Sequence, residues 1–471
     1  MITRPENLHD NSLPGLAVAL DAERMRPILE QHLATGTPCD TDERRVRVEA
    51  CRIERVRYKP GRNCLVCYAL ELRVDGCDEI RKQVLCARMY PPHQSMSRYL
   101  KAAQSPIEAS SWCAPIVHIP ALDMVVWAFP NERKLASLPH LIDDGWLRAC
   151  VLPVLVAGLH GPDWRLAACA HEVVHYVPEH TCTVRAVLDA QHADGRRQRS
   201  VAYGKAYYDD TGRHVGDAMR QLWQSRAVQS GALGIARPLL YVESDRILWQ
   251  EGLQGDTLEQ RYPDDRMPPA ALRRVAGAIA ALHASPVAHI PRQRPIDTLT
   301  DLRERADVIA GVRPLVRARL DHIVRVLGAA LPGPAPLATL HGDLHPKNVF
   351  LMGDRVCLID LDNIRRGSAE HDLASWIACM LYRAALRREH VEPVLVATHA
   401  FVREYARQRG TAIDAHALDW YTAVTLVSER AYRVLSRLKD GRLEILDELL
   451  ELALRAAHGR LLHAAPEGQI A

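Results

Sequence analysis

Lysine is nearly absent from this 471-residue chain: of 60 basic residues only seven are lysines, at 59, 82, 101, 134, 205, 347 and 439. A compact ammonium and a forked guanidinium are not interchangeable, so a lysine that falls inside a motif carries information. No apolar stretch approaches the ~20 residues that cross a bilayer, which argues against a membrane-spanning helix. The N-terminus, Met1-Ile2-Thr3-Arg4-Pro5-Glu6-Asn7, lacks the basic-then-apolar layout of a secretory signal. These absences read as a cytoplasmic protein. A net charge of +3, with no basic run and no aromatic-interleaved patch, gives no reason to expect nucleic acid as a partner. The twelve cysteines lack framework spacing and fit reduced thiols. Cys64 and Cys67 form one Cys-x-x-Cys without a second pair at zinc-site spacing, and on a strand they face opposite sides. No zinc site is expected.

What is present is concentrated in the C-terminal half. The run His341-Gly342-Asp343-Leu344-His345-Pro346-Lys347-Asn348-Val349-Phe350 is followed, twelve residues after Asn348, by Asp360 in Leu358-Ile359-Asp360-Leu361-Asp362. Two apolar strand pieces, 349–352 and 356–359, flank a Gly353-Asp354 turn and read as a hairpin. That hairpin brings together Asp343 at a loop mouth, Asn348 at the start of one strand and Asp360 at the end of the other. A carboxylate able to take a hydroxyl proton, beside an amide and a carboxylate able to share Mg²⁺, meets the needs of phosphoryl transfer from ATP.

The string His-Gly-Asp-Leu-His-Pro-x-Asn followed by Ile-Asp-x-Asp resembles the aminoglycoside phosphotransferases, relatives of protein kinases that phosphorylate small molecules. The resemblance implies Asp343 as catalytic base, Asn348 and Asp360 as metal ligands, and Asp372 as a brace of the catalytic loop. It also implies an α+β, two-lobed kinase-like fold with a mainly helical C-lobe. His341 reads as a structural hydrogen-bonding residue, and His345 as a loop anchor. Lys347 is a candidate to neutralise charge on the transferred phosphoryl group, or a solvated loop lysine. Asp362 supports a second metal or an acceptor hydroxyl, or simply ends a strand. His283 reads as a packed core histidine.

Length and an ordinary 48% hydrophobic content allow two or three domains. Leu272, Val275, Ile279 and Leu282 repeat at helical spacing, a helical region follows from Leu299 to Leu327, and Leu443, Leu446, Leu450 and Leu454 close the chain. Upstream, the segment Val56 to Val66 resembles Val174 to Val184, with Val, Tyr, Pro, Cys and Val at a constant offset. Each segment continues through a turn (Asp75-Gly76, Asp194-Gly195) to Ala87-Arg88-Met89-Tyr90 or Gly204-Lys205-Ala206-Tyr207, and Trp127 and Trp249 follow in parallel. We read a duplicated kinase-like N-lobe, degenerate at 1–162 and working at 163–255, followed by a C-lobe at 256–471; the alternative is two unrelated strand hairpins that share Tyr-x-Pro by chance.

The nucleotide half departs from the kinase pattern. Lys205 fits the strand cation that holds the α- and β-phosphates, where the first copy has Arg88. No glutamate lies between Glu179 and Glu243, so Asp217 is the expected partner of Lys205. No glycine-rich loop is visible. Glu179 stands in its place and would repel phosphate unless turned away, whereas Pro60-Gly61-Arg62-Asn63 in the first copy suits anions better. The hinge against adenine runs through Leu248 to Leu253, including Glu251. The expected function is ATP- and Mg²⁺-dependent phosphorylation of a small-molecule hydroxyl. The alternative is a pseudokinase that binds or regulates through its duplicated N-lobe. Too little chain separates Asp360 from the following helices for a protein kinase's activation segment.

Overall fold

The computed structural model describes residues 10–33, 46–75, 79–104, 113–439 and 442–462. Gly76 of the first expected turn and the N-terminal heptapeptide lie outside them. Contacts divide the chain into two units. One comprises 1–144, 175–182 and 433–443; the other comprises 145–174, 183–432 and 444–471.

The first unit is built on β1 (Val46–Lys59), β2 (Asn63–Val74), β3 (Arg81–Met89), β4 (Ile116–Ile119) and β5 (Met124–Ala128), in the order β1-β2-β3-β5-β4. β1 and β2 form a long antiparallel ribbon from Val46↔Val74 to Lys59↔Asn63. Its turn passes through Gly61 at φ +66, a conformation that glycine adopts without strain. Alternating burial along β1 places Val46, Val48, Val56 and Tyr58 inside and arginines outside. Helix Ala22–Leu33 contributes Met25, Leu29 and Leu33 to the same core.

A second sheet, in the second unit apart from the 175–182 turn between its first two strands, repeats the plan. β6 (Trp164–Val177), β7 (Thr181–His192) and β8 (Arg197–Tyr207) lead into helix Thr211–Trp223, a short β9 (Gly234–Ile235), and then β10 (Pro238–Val242) and β11 (Ile247–Glu251). The second sheet runs β6-β7-β8-β11-β10, the same connectivity as the first, with a helix after the third strand in both. Trp249, fully buried, lies flat enough on Gly204 that a Cβ there would sit 2.6 Å from the indole. Only glycine fits opposite that ring.

The remainder is mainly helical, in the α+β order that the sequence led us to expect. β12 (Asp256–Thr257) precedes helix Pro269–Ala284, which buries Val275, Ile279 and Leu282 at the expected spacing. The region from Leu299 to Leu327 is two helices, Pro295–Val312 and Arg317–Ala329, because Pro314 interrupts the ladder. β13 (Ala338–Leu340), β14 (Val349–Met352), β15 (Arg355–Leu358) and β16 (Arg365–Gly367) then carry the motif. β14 and β15 are the expected hairpin, in register from Val349↔Leu358 to Met352↔Arg355. Helices Ala369–Arg387, Val391–Arg409, Ala415–Thr425 and Leu446–Ala457 complete the unit. Among the described residues no helix is long and apolar enough to cross a membrane.

Candidate active site

The loop between β13 and β14 is fixed from below by one buried carboxylate. Asp372, in the first turn of helix Ala369–Arg387, accepts from the backbone N–H of His341 (2.6 Å) and of Gly342 (2.9 Å). Gly342 has φ +83, and a Cβ there would meet the Asn363 carbonyl at 2.1 Å. No other residue fits between the two backbones. Burial would raise Asp372, but the His283 hydrogen bond and the backbone donor outweigh it and hold the carboxyl at about 2.

His283 was expected only to pack. It is buried, and it also places Nε2 3.1 Å from Asp372 and Nδ1 2.6 Å from the Tyr405 hydroxyl. His341 is fully buried and serves the loop with its ring. A carbonyl can only accept, so Nε2 donates to Ile359 O (2.9 Å), leaving Nδ1 to accept from the Asp343 N–H at 3.3 Å. Arg365 adds a bond from Nη2 to the Gly342 carbonyl at 2.9 Å.

Above this base, Asn348 donates from Nδ2 to the Asp343 carbonyl (3.0 Å), which leaves its amide oxygen as the remaining acceptor. The backbones of the two strands meet here, with Ile359 N–H on Asn348 O at 3.0 Å. The Asp343 side chain is about a quarter exposed, with His345 Nε2 at 3.6 Å from Oδ2. Asp360 adopts a left-handed φ of +60, rare outside glycine, where the chain leaves β15. The motif thus collects Asp343, Asn348 and Asp360 around one loop.

Lys205 joins them across 155 residues of sequence, its Nζ 2.9 Å from Asp360 Oδ1 and 2.6 Å from Asp362 Oδ2. Burial would push Lys205 down, but the two carboxylates more than compensate and raise it. Burial likewise pushes Asp360 up, and Lys205 draws it below the usual carboxylate range. The Tyr207 hydroxyl donates to Asp362 Oδ1 at 2.8 Å.

Other expected residues are not brought to Lys205. Asp217 pairs with Arg220 one turn along its own helix, with its side chain 53% exposed. Lys347 reaches Glu259 at 3.2 Å, and Glu259 is also bound by Arg383. In the expected hinge, the Glu251 N–H already donates to Arg237 O (2.9 Å) and the Gly252 N–H to Val201 O (2.7 Å). Those two donors are engaged within the protein.

Residues 203–411 match the phosphotransferase enzyme family. Every residue named in this constellation falls inside that segment. Solved structures similar to the chain include an aminoglycoside-3'-phosphotransferase of type VIII (22% identity, 54% of this chain and 92% of that chain, TM-score 0.36). A spectinomycin phosphotransferase with ADP and spectinomycin aligns at 11% identity over 62% of this chain and 93% of its own, TM-score 0.41. An amicoumacin kinase with AMP-PNP and Ca²⁺ aligns at 12% over 60% and 87%, TM-score 0.42. A search of curated proteins found no match.

Hard oxygen donors suit Mg²⁺, which keeps several waters and takes one or two carboxylates plus phosphates. The Asn348 amide oxygen and the Asp360 carboxylate fit that donor set. Among the described residues no group of three or more His, Cys, Asp or Glu could hold a metal by itself, so an all-protein cage of those residues is not what this loop supplies.

Proposed function

We propose that the protein phosphorylates a hydroxyl of a small molecule from ATP with Mg²⁺. The observation that carries this reading is the convergence of Asp343, Asn348, Asp360 and one of only seven lysines, Lys205, on a single loop. Asp343 orients the acceptor hydroxyl and takes its proton. Asn348 and Asp360 would hold Mg²⁺, which when bound neutralises charge between the β- and γ-phosphates. Lys205 positions the phosphates. Asp372, His283, His341 and Arg365 hold the loop backbone still, so little reorganisation is left for the chemical step. Residues 163–255 would form the nucleotide lobe and 256–471 the catalytic and acceptor lobe.

Thermal unfolding of wild type and Asp360→Asn, with and without ATP and Mg²⁺, tests the reading. Ligand at a hundred times its Kd stabilises by about 2.7 kcal/mol, so the expected result is a Mg²⁺-dependent rise of several degrees, absent in the variant. No rise for wild type at millimolar ATP would overturn it and favour a nucleotide-independent binding role.

A further inference from the structure

The strand lysine of a kinase-like site needs a carboxylate to aim it, and the helix that would supply one does not. Helix Thr211–Trp223 carries a single acid, Asp217, and that acid is engaged with Arg220. The closest carboxylate to Lys205 Nζ is Asp362, at 2.6 Å. We infer that Asp362, fixed by Tyr207, takes the place of the missing helix carboxylate and aims Lys205 at the nucleotide phosphates.

Three features separate Asp362 from its neighbour Asp360. Both Asp362 oxygens are engaged, Oδ2 by Lys205 and Oδ1 by the Tyr207 hydroxyl at 2.8 Å. Its side chain is 16% exposed against 46% for Asp360, so Asp360 keeps access to a metal or phosphate while Asp362 is enclosed. Tyr207 lies two residues beyond Lys205 on β8, which puts both side chains on one face of the sheet. Its ring centroid lies 5.5 Å from the ammonium, and its hydroxyl reaches the same carboxylate. Lys205, Tyr207 and Asp362 therefore form a closed set in which each member fixes the other two. Asp362 and Tyr207 are positioning residues: they act through Lys205.

The inference rests on the reading of Lys205 as the phosphate-positioning cation, and the test separates the two. Mg²⁺–ATP binding is measured by titration calorimetry for wild type, Tyr207→Phe, Asp362→Asn and Lys205→Met, and for the two double variants on Lys205→Met. Melting temperatures are recorded for each, and Tyr207→Phe, which removes one oxygen, guards against a folding defect in Asp362→Asn. Loss of a charge-assisted hydrogen bond should weaken binding about tenfold in each single variant of the pair. On the Lys205→Met background neither change should have a further effect, because partners acting through one residue are not additive. Additive losses, or an Asp362→Asn variant whose half-saturating Mg²⁺ concentration rises several-fold, would overturn the inference and make Asp362 a metal ligand. Wild type that does not bind Mg²⁺–ATP at all would remove the functional reading itself, and this inference with it.

Discussion

The two five-stranded sheets place a cation at the same point of the same topology and use it differently. In the first, Arg88 on the third strand lies 5.8 Å from the Tyr90 ring centroid; in the second, Lys205 lies 5.5 Å from that of Tyr207. The carboxylates they meet set them apart. Arg88 binds Glu179, whose side chain is 8% exposed, and Asn63 Oδ1 at 3.0 Å. Arg133 closes the other side of Glu179 with two bonds of 2.7 and 3.0 Å. Arg88 and Glu179 are both enclosed, and only Arg133 reaches solvent. Lys205 instead shares Asp360, which keeps nearly half its side-chain surface open. A guanidinium with five fixed donors demands several acceptors and seals its site, whereas an ammonium between two acids leaves one of them available. The same scaffold gives an enclosed ion pair in one unit and, on the function proposed above, a nucleotide-facing constellation in the other.

The largest expected effect concerns the proposed base on the loop between β13 and β14, which the first unit's Arg88 pair does not serve. Asp343→Asn should lower turnover on any accepted hydroxyl by roughly 10²- to 10⁴-fold while leaving the melting temperature within a few degrees, and unchanged turnover would remove Asp343 from the mechanism. Next comes the direct contrast between the cations. Lys205→Met should cost about 10² in turnover, of the order seen when one electrostatic stabiliser is removed. Arg88→Met should leave turnover intact and lower stability by about 3 kcal/mol, because it strips one partner from a buried ion pair. Denaturant unfolding and a phosphoryl-transfer assay on both variants would check this; equal losses of turnover would mean the two sites are not functionally distinct.

How much of this the sequence disclosed follows from range. The hairpin that carries Asn348 and Asp360 was legible because local turns and one short strand pair hold it. Helix Pro269–Ala284 was legible from its periodicity, and the duplicated strand order from the recurrence of Val, Tyr, Pro, Cys and Val. The partner of Lys205 was not legible. The absence of glutamate from the helix pointed to Asp217, but the carboxylate comes from 157 residues away. His283 is similar: nothing in a helix end announces that its ring will meet Asp372, 89 residues on. Tyr207 could have been found, since strand alternation puts it beside Lys205. Glu179 is the instructive case. It stands where a phosphate loop was expected and would oppose phosphate there. It is buried with Arg88 and Arg133, in the segment 175–182 that belongs to the first unit.

That burial also has a pH signature. Burial alone would raise the Glu179 carboxyl, but hydrogen bonds from Arg133 and Arg88 and their charges hold it at about 2, below its ordinary 4.5. A folded-state value below the unfolded one contributes stability that is complete above the unfolded value and is lost as pH falls through the folded one. The stability gap between wild type and Glu179→Gln should therefore be constant above about pH 5 and narrow as pH falls from about 4.5 toward 2, by at most about 1.4 kcal/mol per pH unit. The same comparison for Asp360→Asn should show a weaker acid dependence, because nearly half of that side chain is in water and solvent screens its pairing with Lys205. Urea unfolding at pH 3, 4, 5 and 7 measures both gaps. If they narrow in parallel, the Arg88 pair is no more sealed than the Lys205 pair, and the distinction between a structural and a presented cation fails.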